Sequence, residues 1–162
     1  NSSSKTGTIE YSIANPTTFI DSNHSMSCDD DWMYKKDNTL WTEDKTIYDP
    51  CPPGYKVPDC GESSIWYIAG FADNDKYNSS YKGRYFDIEN GTTWYPEGYL
   101  YSVDGTLTTD GGRYWSSTPA GRSSYFLYFT SSVVEPVYYD KRLSSYGAGN
   151  RASACSVRCV KE

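Results

Sequence analysis

The sequence predicts an α+β fold with two short helices near the start of the chain, strands after them and long loops. Tyrosine, tryptophan and phenylalanine make up 17% of the chain, and with abundant glycine, serine and threonine they favour β-rich structure with many turns. Apolar residues at helical spacing occur in only two short stretches. Two strand-like segments, residues 46–58 and 155–162, each carry cysteine, which predicts a final strand stapled back onto an early one.

Both helices are expected in the first half of the chain. Ile9 and Ile13 fall on one face of the first, which the Asn-Pro pair at 15–16 ends. A serine cap precedes Ile65 and Ile68, which stand at helical spacing in the second. The polar stretch between them, residues 21–38, is expected to be irregular.

Strands are expected elsewhere. Residues 45–51 read as a strand that enters a Pro-Pro-Gly turn, whereas residues 72–112 read as long loops with brief hairpins that present a binding surface. Residues 113–119 form a further strand. Residues 123–130 are apolar or aromatic on both faces, as in a central strand covered on both sides. Pro136 indicates that the segment around it is an edge strand or an interrupted strand.

Length and charge narrow the class of protein. The 162 residues suffice for a single domain with its own core, spanning 1–162. The net charge of -6 makes nucleic acid an unsuitable partner, and no apolar run is long enough for membrane insertion. Since the chain opens on the polar NSSSKTG, we expect a fragment or mature product, the C-terminal part of a larger exported protein.

The five cysteines allow about fifteen arrangements with two disulfides. Cys155 and Cys159 would lie about 13 Å apart on an extended strand, too far to bond each other. An antiparallel arrangement would match Cys51 with Cys159 and Cys60 with Cys155, leaving Cys28 over. Small buried thiols remain an alternative. Zinc is another, although the cysteine spacing is not that of a zinc knuckle and His24 is the only histidine.

An ordered set of segments resembles a known domain type. The chain is similar to the C-terminal, C-type-lectin-like domain of fimbrillin-like surface proteins of Bacteroides-type bacteria, a group related to the Fibrobacter succinogenes major paralogous domain. The matching segments are NPTTFI at 15–20, LW at 40–41, IYDPCPPGYKVP at 47–58, YWSSTP at 114–119, the aromatic YFLYF strand at 125–129 and SVRCV at 156–160.

This resemblance implies a C-type-lectin-like fold, in which two short helices flank small twisted antiparallel sheets and the termini lie close together. It also implies that Cys51 and Cys159 are the bridging pair. The chain departs from the pattern at Cys155, where these domains more often carry an aromatic residue, and Cys28 and Cys60 are additions. A second bridge among these three cysteines is therefore particular to this chain.

Sites for metal and for catalysis are not predicted. Calcium-dependent lectins of this fold resemble one another at a Glu-Pro-Asn loop and a Trp-Asn-Asp strand. Here Glu135-Pro136 is followed by valine, and the strand motif is missing. A nucleophilic triad would depend on His24, and no nucleophile loop accompanies it. We therefore expect no metal, no cofactor and no enzyme, although scattered carboxylates leave glycoside hydrolysis open.

Clustered aromatic residues are the remaining functional signal. Flat rings beside hydroxyl and carboxylate groups suit sugars, and they also suit protein contacts. The alternative is that these rings fill the core beneath the loops. The candidate ligand-binding residues are Trp94, Tyr95, Tyr99 and Tyr101, with Tyr81 and Tyr85 beside them.

Three functions remain open at this level. The sequence favours a non-catalytic extracellular adhesion module at the cell surface, which recognises glycan or a host or pilus protein through its aromatic loops. A terminal structural domain that binds nothing is the first alternative. A secreted enzyme acting on polysaccharide is the second.

Overall fold

A computed structural model shows a protein built mainly from small antiparallel sheets, which confirms the predicted α+β class in its coarse form. Helix α1 spans Ile9–Ala14 and helix α2 spans Ile65–Ile68. The structure describes residues 2–21, 31–61, 64–68, 77–88, 91–103, 105–121, 123–131, 134–136 and 148–162.

The strands pair in four sheets: β1 with β11, β2–β3–β4, β5 with β6, and β7–β8 with β9 and β10. Their bounds are Tyr55–Lys56 (β1), Tyr77–Asn78 (β2), Gly83–Ile88 (β3), Gly91–Pro96 (β4), Leu100–Tyr101 (β5), Leu107–Thr108 (β6), Gly112–Ala120 (β7), Ser123–Phe129 (β8), Val134–Pro136 (β9), Ala148–Gly149 (β10) and Val160–Lys161 (β11).

Helix α1 begins and ends where the sequence predicts. The hydroxyl of Thr8 accepts a hydrogen bond from Tyr11 N at 3.1 Å and caps the helix, which ends at Asn15 before Pro16. Its apolar face is not buried, however, since the Ile13 side chain is 73% exposed. The helix is therefore held by its caps rather than by core packing.

Strand β8 occupies the centre of the largest sheet, as its unbroken apolar pattern predicts. It pairs with β7 along one edge, while β9 and β10 share the other edge. Leu127 and Phe129 on β8 are fully buried. Gly112 on β7 lies directly opposite Phe129, and a Cβ there would collide with the phenyl ring.

Residues 72–112 contain more strand than expected. In the described part of this stretch, β3 and β4 form a six-residue hairpin, with β2 on the outer edge of β3 and the β5–β6 pair following. The turn of the hairpin includes Gly91 at a φ of 142°, which favours glycine. Aromatic contacts between its two strands stabilise this hairpin. The sequence pattern did not distinguish these strand residues from loop residues.

Aromatic rings form most of the core. Trp66 from α2 donates a hydrogen bond from Nε1 to the Tyr95 hydroxyl at 3.2 Å, and the Phe86 ring meets the Tyr95 ring edge-on at 4.9 Å. The buried Tyr114 hydroxyl donates to Pro96 O at 2.6 Å. Each buried polar atom of these rings is thus hydrogen-bonded, as burial requires.

The predicted strand at residues 45–51 is wrong. This segment turns at Thr46, whose carbonyl accepts from Asp49 N. The Asp49 carboxylate then accepts hydrogen bonds from Cys51 N at 2.8 Å, Val57 N at 2.9 Å and Lys45 Nζ at 3.0 Å. Burial raises the pKa of Asp49, but these hydrogen bonds outweigh it and hold the pKa below its ordinary value. A buried carboxylate therefore organises the turn.

The predicted disulfide between Cys51 and Cys159 is confirmed. It lies next to the pairing of β1 with β11, where Tyr55 faces Lys161 and Lys56 faces Val160. The bond closes a loop of 108 residues, so it links the early and final strands covalently.

The second predicted disulfide, between Cys60 and Cys155, is wrong, since both residues remain thiols. The segments that carry Cys60 and Cys155 run along the same edge of β7, but they lie beside different residues of that strand. Cys60 N donates to Thr118 Oγ1, whereas the segment after Cys155 pairs with Tyr114. Four residues on a strand separate those levels by about 13 Å, beyond disulfide reach. Cys28, the odd cysteine, lies outside the described residues.

Membrane-spanning helices are not found among the described residues: the two helices there are six and four residues long.

Candidate functional site

The β3–β4 hairpin brings two of the predicted aromatic residues together. Tyr85 and Trp94 face each other across the strands on the outer side, with ring centroids 4.7 Å apart. The Trp94 ring extends over Gly83, where no side chain obstructs it. Tyr81 precedes β3 and is 78% exposed. We call the outer side of the hairpin, with Tyr85 and Trp94, the hairpin face.

Tyr95 does not belong to a ligand-binding surface. Because side chains alternate along a strand, Tyr95 points to the opposite side from Trp94, and only 2% of it is exposed. Tyr99 and Tyr101 are exposed but lie outside the hairpin. Tyr101 hydrogen-bonds through its backbone with Ala154, and its ring lies 6.4 Å from that of Phe19. The six predicted residues therefore do not form one site.

A cleft elsewhere in the molecule is the better-formed site. Its volume is about 520 Å³, which lies within the range of small-ligand pockets. Four parts of the chain supply most of its walls: residues 12–20, residues 31–41, the strand β7 and residues 151–157. Pro50 and Ser124 complete them. We call this site the Arg151 cleft.

Three of the five tryptophans line the Arg151 cleft: Trp32, Trp41 and Trp115. The Trp41 indole is anchored by a hydrogen bond from Nε1 to Tyr48 O at 3.0 Å. Trp115 is buried, and its ring meets Phe126 edge-on at 5.9 Å. Fixed rings of this kind offer flat apolar surface at little cost in conformational entropy.

Arg151 holds the polar side of the cleft together. Its Nη1 donates to Asp31 Oδ2 at 3.2 Å and its Nη2 donates to Asn38 Oδ1 at 2.6 Å. Its Nε donates to Ser123 O at 3.1 Å. The side chains of Arg151 and Asp31 are 9% and 3% exposed, so this is a buried ion pair that ties the segment 31–38 to β8.

Burial raises the pKa of Asp31 above its ordinary value, although the hydrogen bond from Met33 N and the charge of Arg151 act to lower it. The carboxylate therefore depends on its arginine. At a pH between the ordinary pKa of Asp31 and its raised pKa, the carboxyl group is protonated in the folded protein but ionised in the unfolded chain. The contribution of this proton to stability is therefore lost as the pH rises through that range.

Asp37 and Asn38 add polar groups to the cleft wall. Hydrogen bonds from Thr39 and Arg151 orient them. Thr39 donates to Asp37 Oδ1 from its N at 2.8 Å and from its hydroxyl at 2.6 Å. These two hydrogen bonds lower the pKa of Asp37, so it is a carboxylate at neutral pH. Among the described residues, none accepts from Asn38 Nδ2.

Two serines of β7 add hydroxyl groups to the wall. Ser116 Oγ donates to Tyr125 O at 3.0 Å. Ser117 is 2% exposed, and its Oγ has no hydrogen-bond partner in the part of the chain that the structure describes. An unsatisfied buried hydroxyl costs free energy, and this one has almost no surface that a ligand in the cleft could reach.

Cys155 also lines the cleft, yet its thiol is unsuited to catalysis. Burial raises its pKa to about 12, and the nearby Arg113 charge only partly opposes this. Because the thiolate is the nucleophilic form, Cys155 is unreactive at neutral pH. Where the structure describes side chains, no group of three or more histidine, cysteine, aspartate or glutamate residues is placed to hold a metal ion.

Sequence reasoning missed the Arg151 cleft because its walls come from four separate segments. One signal was available: NPTTFI, LW and YWSSTP, three of the segments that carry the resemblance, contribute Phe19, Trp41 and Trp115 to it.

No family model matches the chain, and neither do the curated proteins and solved structures compared with it.

Proposed function

We propose that this chain is a non-catalytic binding module of an exported surface protein, and that it recognises glycan in the Arg151 cleft. The observation that carries the proposal is the composition of the cleft wall. Three indole rings share about 520 Å³ with oriented carboxylate, amide and hydroxyl groups. Sugars need this combination, because their rings have apolar C–H faces and hydroxyl edges.

The disulfide supports the extracellular location. Bonds such as Cys51–Cys159 persist in oxidising compartments and are rare in the cytosol. The resemblance to the fimbrillin-associated domains agrees with this location, and we propose the C-type-lectin-like fold on the same basis. The inert thiol of Cys155 and the ion-paired carboxylate of Asp31 support a binding role rather than catalysis.

The hairpin face supports a second candidate function, contact with a host or pilus protein. Its pair of an exposed Tyr85 and a half-buried Trp94 is of the kind that protein interfaces favour. Neither residue lines the Arg151 cleft, so this face would act as a separate contact surface.

A binding array of glycans and extracellular-matrix proteins tests both candidates, with and without calcium. We expect glycan binding that Trp41→Ala weakens about tenfold or more, since an anchoring tryptophan contributes strongly. Trp94→Ala is the matched control on the hairpin face and should leave glycan binding within about twofold.

Trp41→Phe keeps a ring in place without the Tyr48 hydrogen bond, and it separates lost stacking from misfolding. Loss of binding only in Trp94→Ala would transfer the function to the hairpin face. Silence toward every glycan and protein, from a folded chain, would favour the purely structural domain.

A further inference from the structure

Asp37 and Asn38 present one acceptor and one donor from consecutive residues of the Arg151 cleft. Thr39 occupies Asp37 Oδ1, which leaves Oδ2 to accept. Arg151 occupies Asn38 Oδ1 at 2.6 Å, which fixes the amide so that its Nδ2 group is left to donate. The two neighbours thus determine not only where these side chains lie but which hydrogen bonds remain for a ligand.

We infer that the Arg151 cleft binds an uncharged saccharide residue whose hydroxyl groups donate to Asp37 and accept from Asn38, with a ring face against Trp41. This rests on the proposed function and specifies the ligand of the same site. A hydroxyl group is both donor and acceptor, so one sugar ring satisfies both residues.

Charge excludes the acidic sugars. Arg151 and Asp31 neutralise each other as a buried ion pair, and the lowered pKa of Asp37 leaves one uncompensated negative charge in the wall. A carboxylate or sulfate group would be repelled there, and the net charge of -6 adds to the effect.

Chemistry also excludes a simple cation. An ammonium group carries donors only, so it would satisfy Asp37 while leaving the Asn38 amide without an acceptor.

Isosteric exchange of the two residues tests the inference. Asp37→Asn removes the acceptor and keeps the oxygen that Thr39 needs. Asn38→Asp removes the donor and keeps the oxygen that Arg151 needs. The double variant D37N/N38D restores the net charge of the cleft but reverses the order of donor and acceptor, so it separates hydrogen-bond pattern from charge.

The probes are methyl glycosides of glucose, galactose and mannose, with glucuronic acid, methylammonium and N-methylacetamide as the acidic, cationic and peptide-like comparisons. We expect at least one neutral glycoside to bind, measured by tryptophan fluorescence and by NMR titration. Each single variant and the double variant should bind that glycoside about tenfold more weakly than the parent protein does. Glucuronic acid should bind more weakly than the neutral sugar, and the other two probes should not compete.

Several results would overturn the inference. These are full binding by D37N/N38D, preference for glucuronic acid, binding of methylammonium or N-methylacetamide in place of sugar, or no binding of any glycoside. Binding on the array that depends on Trp41 but not on Asp37 or Asn38 would leave the proposed function standing and this inference refuted. No Trp41-dependent binding on the array would refute both.

Discussion

Replacing Cys51 and Cys159 together by alanine lowers the free energy of unfolding by about 4 kcal/mol. The bond closes a loop of 108 residues, and releasing a loop of that length enlarges the unfolded ensemble. For a protein of this size, such a loss lowers Tm by about 10 °C. Thermal and urea unfolding without reductant measure both quantities.

Cys155→Ala is the matched control for the disulfide, because it removes a thiol that bonds no other cysteine and should cost only about 1 kcal/mol. Thiol titration of the unreduced, denatured protein gives a second check. The double variant should contain as many thiols as the parent, since neither Cys51 nor Cys159 contributes one. Fewer thiols in the variant, with an unchanged Tm, would contradict the bridge.

Arg151→Met has the second largest expected effect, a loss of about 3 kcal/mol of unfolding free energy at neutral pH. The methionine keeps the apolar stem but leaves Asp31, whose side chain is 3% exposed, as a buried carboxylate without its partner. Asn38 also loses the bond that orients its amide, so saccharide binding falls with stability. Urea unfolding and the glycoside titration report the two losses separately.

The pH dependence of this variant identifies the cause. Burial already raises the pKa of Asp31, and removing Arg151 raises it further. As the pH falls through the raised pKa of Asp31, protonation removes the unpaired charge, so the destabilisation should shrink toward acid pH. Arg113→Met is the control, because it breaks an ion pair with the exposed Asp110. It should lower the free energy of unfolding by about 1 kcal/mol at neutral pH and at acid pH alike. A pH-independent loss in Arg151→Met, or one no larger than in Arg113→Met, would contradict this explanation.

The parts of the fold that the sequence predicted are those with a local pattern. The apolar and aromatic run of residues 125–129 is typical of a covered strand, and it lies in β8. Strand geometry forbade a bond between Cys155 and Cys159, and Cys159 bonds Cys51 instead. Spacing along one strand was enough in the first case. In the second it excluded only one bond, and the antiparallel arrangement and the family resemblance indicated the pairing with Cys51.

The failures have physical causes of their own. Residues 45–51 look like a strand, but the Asp49 carboxylate gathers Lys45, Cys51 and Val57, and that network turns the chain. Tyr95 was predicted on the ligand-binding surface because its stretch read as a loop. Once that stretch is a strand, alternation places Trp94 outside and Tyr95 in the core.

The candidate site was the least predictable feature. Arg151 is separated from Asp31 by 120 positions and from Asn38 by 113, so nothing local marks them as a unit. Only folding brings together the segments that carry them.

The most direct measurement uses the indole N–H signals of the five tryptophans, which report on three different places. Trp32, Trp41 and Trp115 line the Arg151 cleft, Trp66 lies in the core and Trp94 lies on the hairpin face. Titration with a neutral glycoside should shift the three cleft signals and leave those of Trp66 and Trp94 in place. Shifts confined to Trp94, or no shift at saturating glycoside, would contradict glycan recognition in the cleft.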